Sequence, residues 1–288
     1  MKLVMTLLVR DEEDILRENL EFHLARGVDE IILMDNLSVD RSASIAEEYA
    51  RAGVLQYMFQ PRDDYSQGRW VTQMARRAVD ELDADWVINS DADEFWCPDA
   101  GSIKDALASV GPDAVAASVE RTNFVTRLEN GEPFWRRMGV RRTVSVNSLG
   151  EPLTSKTAHR GATDVVVGQG NHHVSVGGRL ASCVPVPITI LHFPVRSRAQ
   201  FFNKIVKGGA AYARNTELDH TIGKTWRHLY QLYQEDKLDQ AFERELMTDE
   251  QIVHGLAAGV LIRDERLISA LTSRTHRSSL AVASSAGC

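Results

Sequence analysis

Cysteine is scarce. Only three occur in 288 residues, and Cys97, Cys183 and Cys288 form neither a zinc nor a redox spacing. Their odd number argues against a disulfide framework. No run of 18 apolar residues exists, so no membrane-spanning helix is expected. The apolar N-terminal run is short and broken by Arg10 and the acidic stretch from Asp11 to Asp14, which does not suit a signal peptide. Excess positive charge is also missing. With 33 Lys and Arg against 40 Asp and Glu, the net charge is −7, which argues against non-specific nucleic-acid binding. There is no internal repeat. What is there, 43% hydrophobic and 25% charged residues, suits a soluble globular chain with one large α/β domain or a domain plus a subdomain. A cytoplasmic enzyme is the default expectation, with peripheral attachment to a membrane left open.

The first half alternates two periodicities. Leu3 to Val9 is a continuous apolar run, as expected of a strand buried on both faces. Residues 12–26 repeat apolar positions at helical spacing, and Gly27 follows as a C-cap. Strands are predicted at 30–34, 54–59 and 85–89, and helices at 41–52 and 67–82. Strands alternating with helices of this length imply βαβ units and a mostly parallel sheet. Beyond Phe95 the pattern changes to a short helix at 102–110, strands at 114–120 and 140–146, and an irregular β-containing region rich in Gly, Asn and His from Gly131 to Gly178. A short strand at 188–193 ends beside His192. Helices are predicted at 198–214, about 224–246 and 249–271, then a disordered tail at 272–288. The implied organisation is an α/β half at 1–120, a β insert at 121–197 and C-terminal helices at 198–271.

The richest segment is Asp85 to Trp96, in which an apolar strand runs into Asp91, Asp93 and Glu94. In extended backbone, residues i and i+2 point the same way, so Asp91 and Asp93 can converge on one cation at the C-terminal edge of a strand. Hard oxygen ligands there suit Mg²⁺ or Mn²⁺ carrying a phosphate, and hence chemistry on a nucleotide-activated substrate. Glu94 reads as a support or helix-start acid, and Phe95 and Trp96 as core or pocket wall.

The order "VRDEED", "MDNLSVDRS", "DADEFW" resembles the nucleotide-binding half of family-2-like glycosyltransferases with the GT-A fold. The further motifs "GQGNHHV" and "LHFPVRSRAQFFNKIVKGG" are similar to the bacterial branch related to glycosyltransferase family 92. The resemblance covers residues 1–210 and implies a nucleoside diphosphate sugar donor and a divalent metal. It places Leu8, Arg10 and Glu12 against the nucleoside, with Asp11 where the family commonly has Asn. It sets Asp35 at the base, where a carboxylate accepts well from an N–H, with Asn36 and Ser38 shaping the turn. Gly68 and Arg69 open the third helix, where a cation can reach a diphosphate. Asp91 and Asp93 match the metal-binding DxD motif, the first acid contacting ribose or metal-bound water and the second the metal itself. His192 matches a C-terminal His that completes the metal shell or touches the diphosphate.

Arg196, Arg198, Lys204 and Lys207 follow His192 and can add cationic contacts. An inverting transfer, which the resemblance favours, also needs a base for the acceptor hydroxyl. Asp164, His173 and Glu120 are the candidates. The pair His172 and His173 lacks the partners of a zinc site and suits an acceptor-side or structural role. Arg136, Arg137, Arg141 and Arg142 form a basic cluster, either a solvated strand face or a grip on a phosphorylated or carboxylated acceptor. The acceptor itself, a saccharide, lipid-linked sugar, natural product or protein, is not specified. Two other functions stay in view. A sugar-1-phosphate nucleotidyltransferase would need a Gly-rich basic loop after the first strand, where this chain has the acidic "VRDEED". A non-catalytic nucleotide-sugar-binding protein would bind donor without turnover.

Overall fold

The computed structural model describes residues 1–273. From residue 274 on, the expected disordered tail lies outside the described residues. The chain opens with β1 (Leu3–Val9), α1 (Leu16–Ala25), β2 (Glu30–Asp35), α2 (Ser42–Arg51), β3 (Leu55–Phe59), α3 (Gln67–Asp80) and β4 (Trp86–Asp91). It continues with β5 (Glu94–Pro98), α4 (Ile103–Ala108), β6 (Ala116–Asn123), α5 (Phe134–Arg137), β7 (Val140–Arg142) and β8 (Lys156–Arg160). The short strands β9 (Val166–Val167), β10 (Val174–Val176) and β11 (Arg179–Leu180) precede the long β12 (Cys183–His192). The C-terminal part holds α6 (Arg198–Arg214), α7 (Lys224–Gln234), α8 (Leu238–Glu245), α9 (Asp249–Ala257) and β13 (Leu261–Arg263), then a helical stretch at 266–273.

Eight strands form one sheet in the order β3-β2-β1-β4-β8-β6-β12-β5. The first four are parallel, as the βαβ pattern requires. The expectation of an α/β fold holds, but the sheet is mixed. β8 runs antiparallel to both β4 and β6, and β5 antiparallel to β12. Helices pack on both faces. On β1, Leu3, Met5, Leu7 and Val9 enter the core with α1, while Val4 enters a second core with Trp70, Val71 and Met74 of α3. Period-2 alternation between two buried faces is why β1 reads as an unbroken apolar run.

Several boundaries shift for local reasons. The first helix starts at Leu16 rather than Glu12, because Asp11 takes φ 54 and the 12–15 segment forms a turn. The single helix expected at 224–246 is two, broken at Asp236 with φ 55. The helix expected at 249–271 is interrupted by β13, which pairs with β7. Leu238, Ala241 and Phe242 of α8 pack with Phe201 and Ile205 of α6 and Leu229 of α7, a separate small core that forms one wall of the cavity below.

Candidate functional site

The C-terminal ends of β1 and β4, the start of α3, the end of β6 and the α6–α7 pair enclose a cavity of about 1430 Å³. Leu8, Arg10, Glu12, Arg69, Asp91, Asp93, His173 and His192 all line it. Asp35 does not. It is 1% exposed, and its carboxylate accepts from Ser38 N and the Tyr57 hydroxyl, each at 3.0 Å. Its neighbour Asn36 reaches the cavity and ties its amide to the Gln60 and Arg62 carbonyls.

The two acids of the DxD motif have different surroundings. Asp91 ends β4 and is held on both oxygens. Lys156 Nζ donates to Oδ2 at 2.5 Å, and the Gln67 and Asn171 amides donate to Oδ1 at 3.1 and 3.2 Å. Lys156 is 1% exposed and also meets Glu94, itself 0% exposed, at 3.2 Å. Asp91 is thus pinned by three protein donors, which leaves little of its coordinating capacity free.

Asp93 faces a different set. Lys204 donates to its Oδ2, and His192 Nε2 lies 3.6 Å from the same oxygen. Burial alone would raise this carboxyl, but Lys204 and His192 hold it well below the usual carboxylate range. The His192 ring is fixed from behind. Asn123 donates its amide to Val146 O at 3.1 Å, which turns Asn123 Oδ1 toward His192 Nδ1 at 2.7 Å. Nδ1 must then carry the proton, so Nε2 is the ring nitrogen that faces Asp93: it donates to the carboxylate while protonated and offers a lone pair to an ion once that proton leaves. A second contact that fixes tautomer and orientation is how a metal-binding His is set. The oxygen and nitrogen donors fit a hard or borderline divalent ion. Among the described residues no group of three or more His, Cys, Asp or Glu could hold a metal, so the expected three-ligand set of Asp91, Asp93 and His192 is not assembled.

Glu12 meets Arg196 at 2.6 Å, and burial pushes its carboxyl up to about 7 against the pull of Arg196 and Lys204. Arg196 is 0% exposed and also grips Asp14, tying the start of α6 to the turn after β1. Lys207 and Asn203 of α6 both donate to Asp11, closing the same joint. Arg196, one of the four cations expected to add contacts after His192, is therefore structural.

Of the three base candidates, the cavity receives only His173. Asp164 is exposed and accepts from Gly177 N at 2.8 Å, capping the β10–β11 turn. Glu120 is exposed because alternation along β6 turns it away from the cavity while Arg121 faces it. His172 also lines the cavity. The Ser155 carbonyl accepts from its Nδ1 at 3.0 Å, leaving the Nε2 lone pair. Burial, then Lys156, pushes this imidazole down to about 4, so it is neutral at pH 7.

Other lining residues carried no signal in sequence. Tyr65, Tyr212 and Trp226 form an aromatic cluster with ring centroids 4.6 to 6.1 Å apart, and the Lys204 ammonium sits 5.8 Å from the Trp226 ring. Gly208 makes this possible, since a Cβ there would come within 2.3 Å of the Trp226 ring. Gly68 does likewise at α3, where a Cβ would lie 3.0 Å from Val167 O. That closeness lets Gln169 accept from Gly68 N and brings the 168–173 segment over the cavity.

The model of glycosyl transferase family 2 matches residues 7–159. No curated protein matches the chain. Among solved structures, S. aureus TarS 1-349 in complex with UDP-GlcNAc is similar at 13% identity and a TM-score of 0.43, over 77% of this chain and 69% of that one. Glucosyl-3-phosphoglycerate synthase from Mycobacterium tuberculosis, in complex with Mn²⁺, UDP and glucosyl-3-phosphoglycerate, is similar at 14% identity and a TM-score of 0.31, over 55% of this chain and 56% of that one.

Proposed function

Because this chain belongs to glycosyl transferase family 2, and is a glycosyltransferase of GT-A fold, we propose a metal-assisted, inverting transfer from a nucleoside diphosphate sugar to an acceptor hydroxyl. The observation that carries the metal assignment is the Asp93–His192 pair, 3.6 Å apart with the His tautomer fixed by Asn123. These two residues would hold Mn²⁺ or Mg²⁺, and the bound ion would stabilise the charge that develops on the departing diphosphate.

The chain's own groups divide the remaining work. Leu8, Arg10 and Asn36 form the nucleoside wall, and Arg69 at the start of α3 supplies a cation for the diphosphate. Asp91, held by Lys156, Gln67 and Asn171, presents a fixed carboxylate edge to the donor and does not ligate the metal. The base is His172, neutral and with Nε2 unprotonated, which takes the acceptor proton as the new bond forms. The α6–α7 aromatic cluster covers the transferred sugar and excludes water. Within the family, the order of "DADEFW", "GQGNHHV" and the basic α6 motif favours the branch related to family 92. A sequence tree that separates the chain from that branch would remove this placement.

The deciding experiment is calorimetry with UDP-, GDP-, dTDP- and CDP-sugars, with and without Mn²⁺. Metal-dependent binding of one nucleotide is expected. Binding of none would sink the proposal. Pyrophosphate release from a nucleoside triphosphate would point instead to nucleotidyl transfer.

A further inference from the structure

We propose that the acceptor carries a phosphate or carboxylate group, held by Arg142 and Arg244. This rests on the glycosyltransferase reading of the same cavity. Although the chain carries a net charge of −7, nine Lys and Arg side chains line the cavity against six Asp and Glu.

Five of the nine are already committed. Arg10 pairs with Asp63, Arg121 with Glu94, Lys156 with Asp91 and Glu94, Lys204 with Asp93, and Lys207 with Asp11. Arg69, Arg142, Lys224 and Arg244 have no ion-pair partner among the described residues. Arg69 opens α3 on the donor side and suits the diphosphate. Lys224 opens α7 beside Trp226.

Arg142 and Arg244 come from two segments of the cavity wall that are bridged to the same stretch of chain. The chain after β6 bridges Arg141 through Phe124 and Leu246 through Thr126, which brings β7 and the end of α8 to one edge. Arg142 O accepts from the Thr122 hydroxyl at 3.3 Å, and the Arg142 charge acts on the Glu245 carboxyl next to Arg244. Asn123, one residue on from Thr122, is the group that orients His192. Arg142 is therefore on the strand beside the one that carries Asn123 to His192, and Arg244 lies two residues before Leu246, which bridges to Thr126 three residues farther on. Unpaired guanidinium forks facing a cavity match planar or tetrahedral oxyanions. A neutral acceptor would leave Arg142 with Glu245 alone and Arg244 without an ion-pair partner among the described residues, whereas an anionic acceptor gains charge-assisted contacts from both.

The test uses the purified full chain, saturated with the nucleoside diphosphate that binds and Mn²⁺, titrated with glucose 6-phosphate, glucuronate and glucose. At least one charged sugar should bind roughly tenfold or more tightly than glucose. R142A and R244A should each weaken that binding by about tenfold, while nucleotide affinity stays within about twofold. Arg244 is exposed, so R244A tests the idea even if R142A folds poorly. Which charged sugar wins separates a phosphate from a carboxylate acceptor. Equal binding of all three sugars, or charged-sugar binding indifferent to R244A, would overturn the inference while leaving the donor site intact. Failure of every nucleotide to bind would instead remove the reading on which it rests.

Discussion

The two DxD acids should behave differently when neutralised. Asp93 shares its space with Lys204 and His192, whereas Asp91 is bound by Lys156, Gln67 and Asn171. Asp93→Asn keeps the shape but removes the carboxylate that lies 3.6 Å from His192 Nε2. A divalent ion bridging protein and diphosphate contributes several kcal/mol, so the wild-type dissociation constant should fall on the order of 100-fold when Mn²⁺ is added. In Asp93→Asn that ratio should collapse to about 1 if the ion no longer binds. Asp91→Asn should retain most of the metal ratio, because its carboxylate is spent on protein donors. Neither substitution is free of cost. Breaking a buried pair outright costs about 3–5 kcal/mol. Lys204 is 23% exposed and also feels Glu12, so the loss for Asp93→Asn should be nearer 1–3 kcal/mol. In Asp91→Asn, Lys156 keeps Glu94 at 3.2 Å, which limits the damage similarly. The assay is calorimetry of the bound nucleotide with and without Mn²⁺, beside thermal melts to show that both variants fold. If Asp91→Asn loses the metal ratio as fully as Asp93→Asn, the division of labour is wrong and the acids act as one ligand set.

Three further outcomes follow from the same geometry. His23 and His159 are buried and His172 half-buried, and desolvation pushes each down to about 4, so the unfolded chain takes up protons that the fold refuses. Stability should be full above pH 6.5 and fall by up to about 3 kcal/mol per group as pH drops toward 4, and urea denaturation curves that do not move between pH 7 and 5 would contradict this. His172→Gln should reduce transfer by roughly 10²–10⁴-fold with nucleotide affinity unchanged, while His173→Gln stays near wild type; the reverse pattern in single-turnover kinetics would move the base to His173. Gly208→Ala drives a methyl into the Trp226 ring and should cost about 1–3 kcal/mol, shift tryptophan emission and weaken nucleotide-sugar binding, and an unchanged spectrum would show that the ring is not held there.

The parallel half of the sheet was legible because its physics is written locally. β1 and α6 appear at the residues their periodicity indicates, and α2, β3 and α3 within about two residues. That Leu8, Arg10, Asp91 and Asp93 share one cavity followed from strand ends, since alternating β and α elements bring those ends to one edge. β5 escaped notice. Phe95 and Trp96 read as core or pocket wall, and both are buried in the core, but nothing local shows that with Cys97 they form an edge strand antiparallel to β12. That pairing joins residues more than 90 positions apart and leaves no trace in a local window.

β8 was hidden for a different reason, and it is the strand that matters most for the site. Its sequence, Lys-Thr-Ala-His-Arg, has no apolar alternation, yet Lys156, Thr157, Ala158 and His159 are all buried in the middle of the sheet. Hydrophobic patterning detects a strand that is buried against other apolar groups. It fails where burial is compensated by partners instead, here Asp91 and Glu94 for Lys156, the His172 carbonyl for Thr157 and the Arg160 carbonyl for His159. Those partners come from β4, β5, the 168–173 segment and the strand itself. The polarity that concealed β8 is thus the same polarity that fixes Asp91 through Lys156, so an unpatterned stretch between clear strands holds a group that sets the geometry of the site.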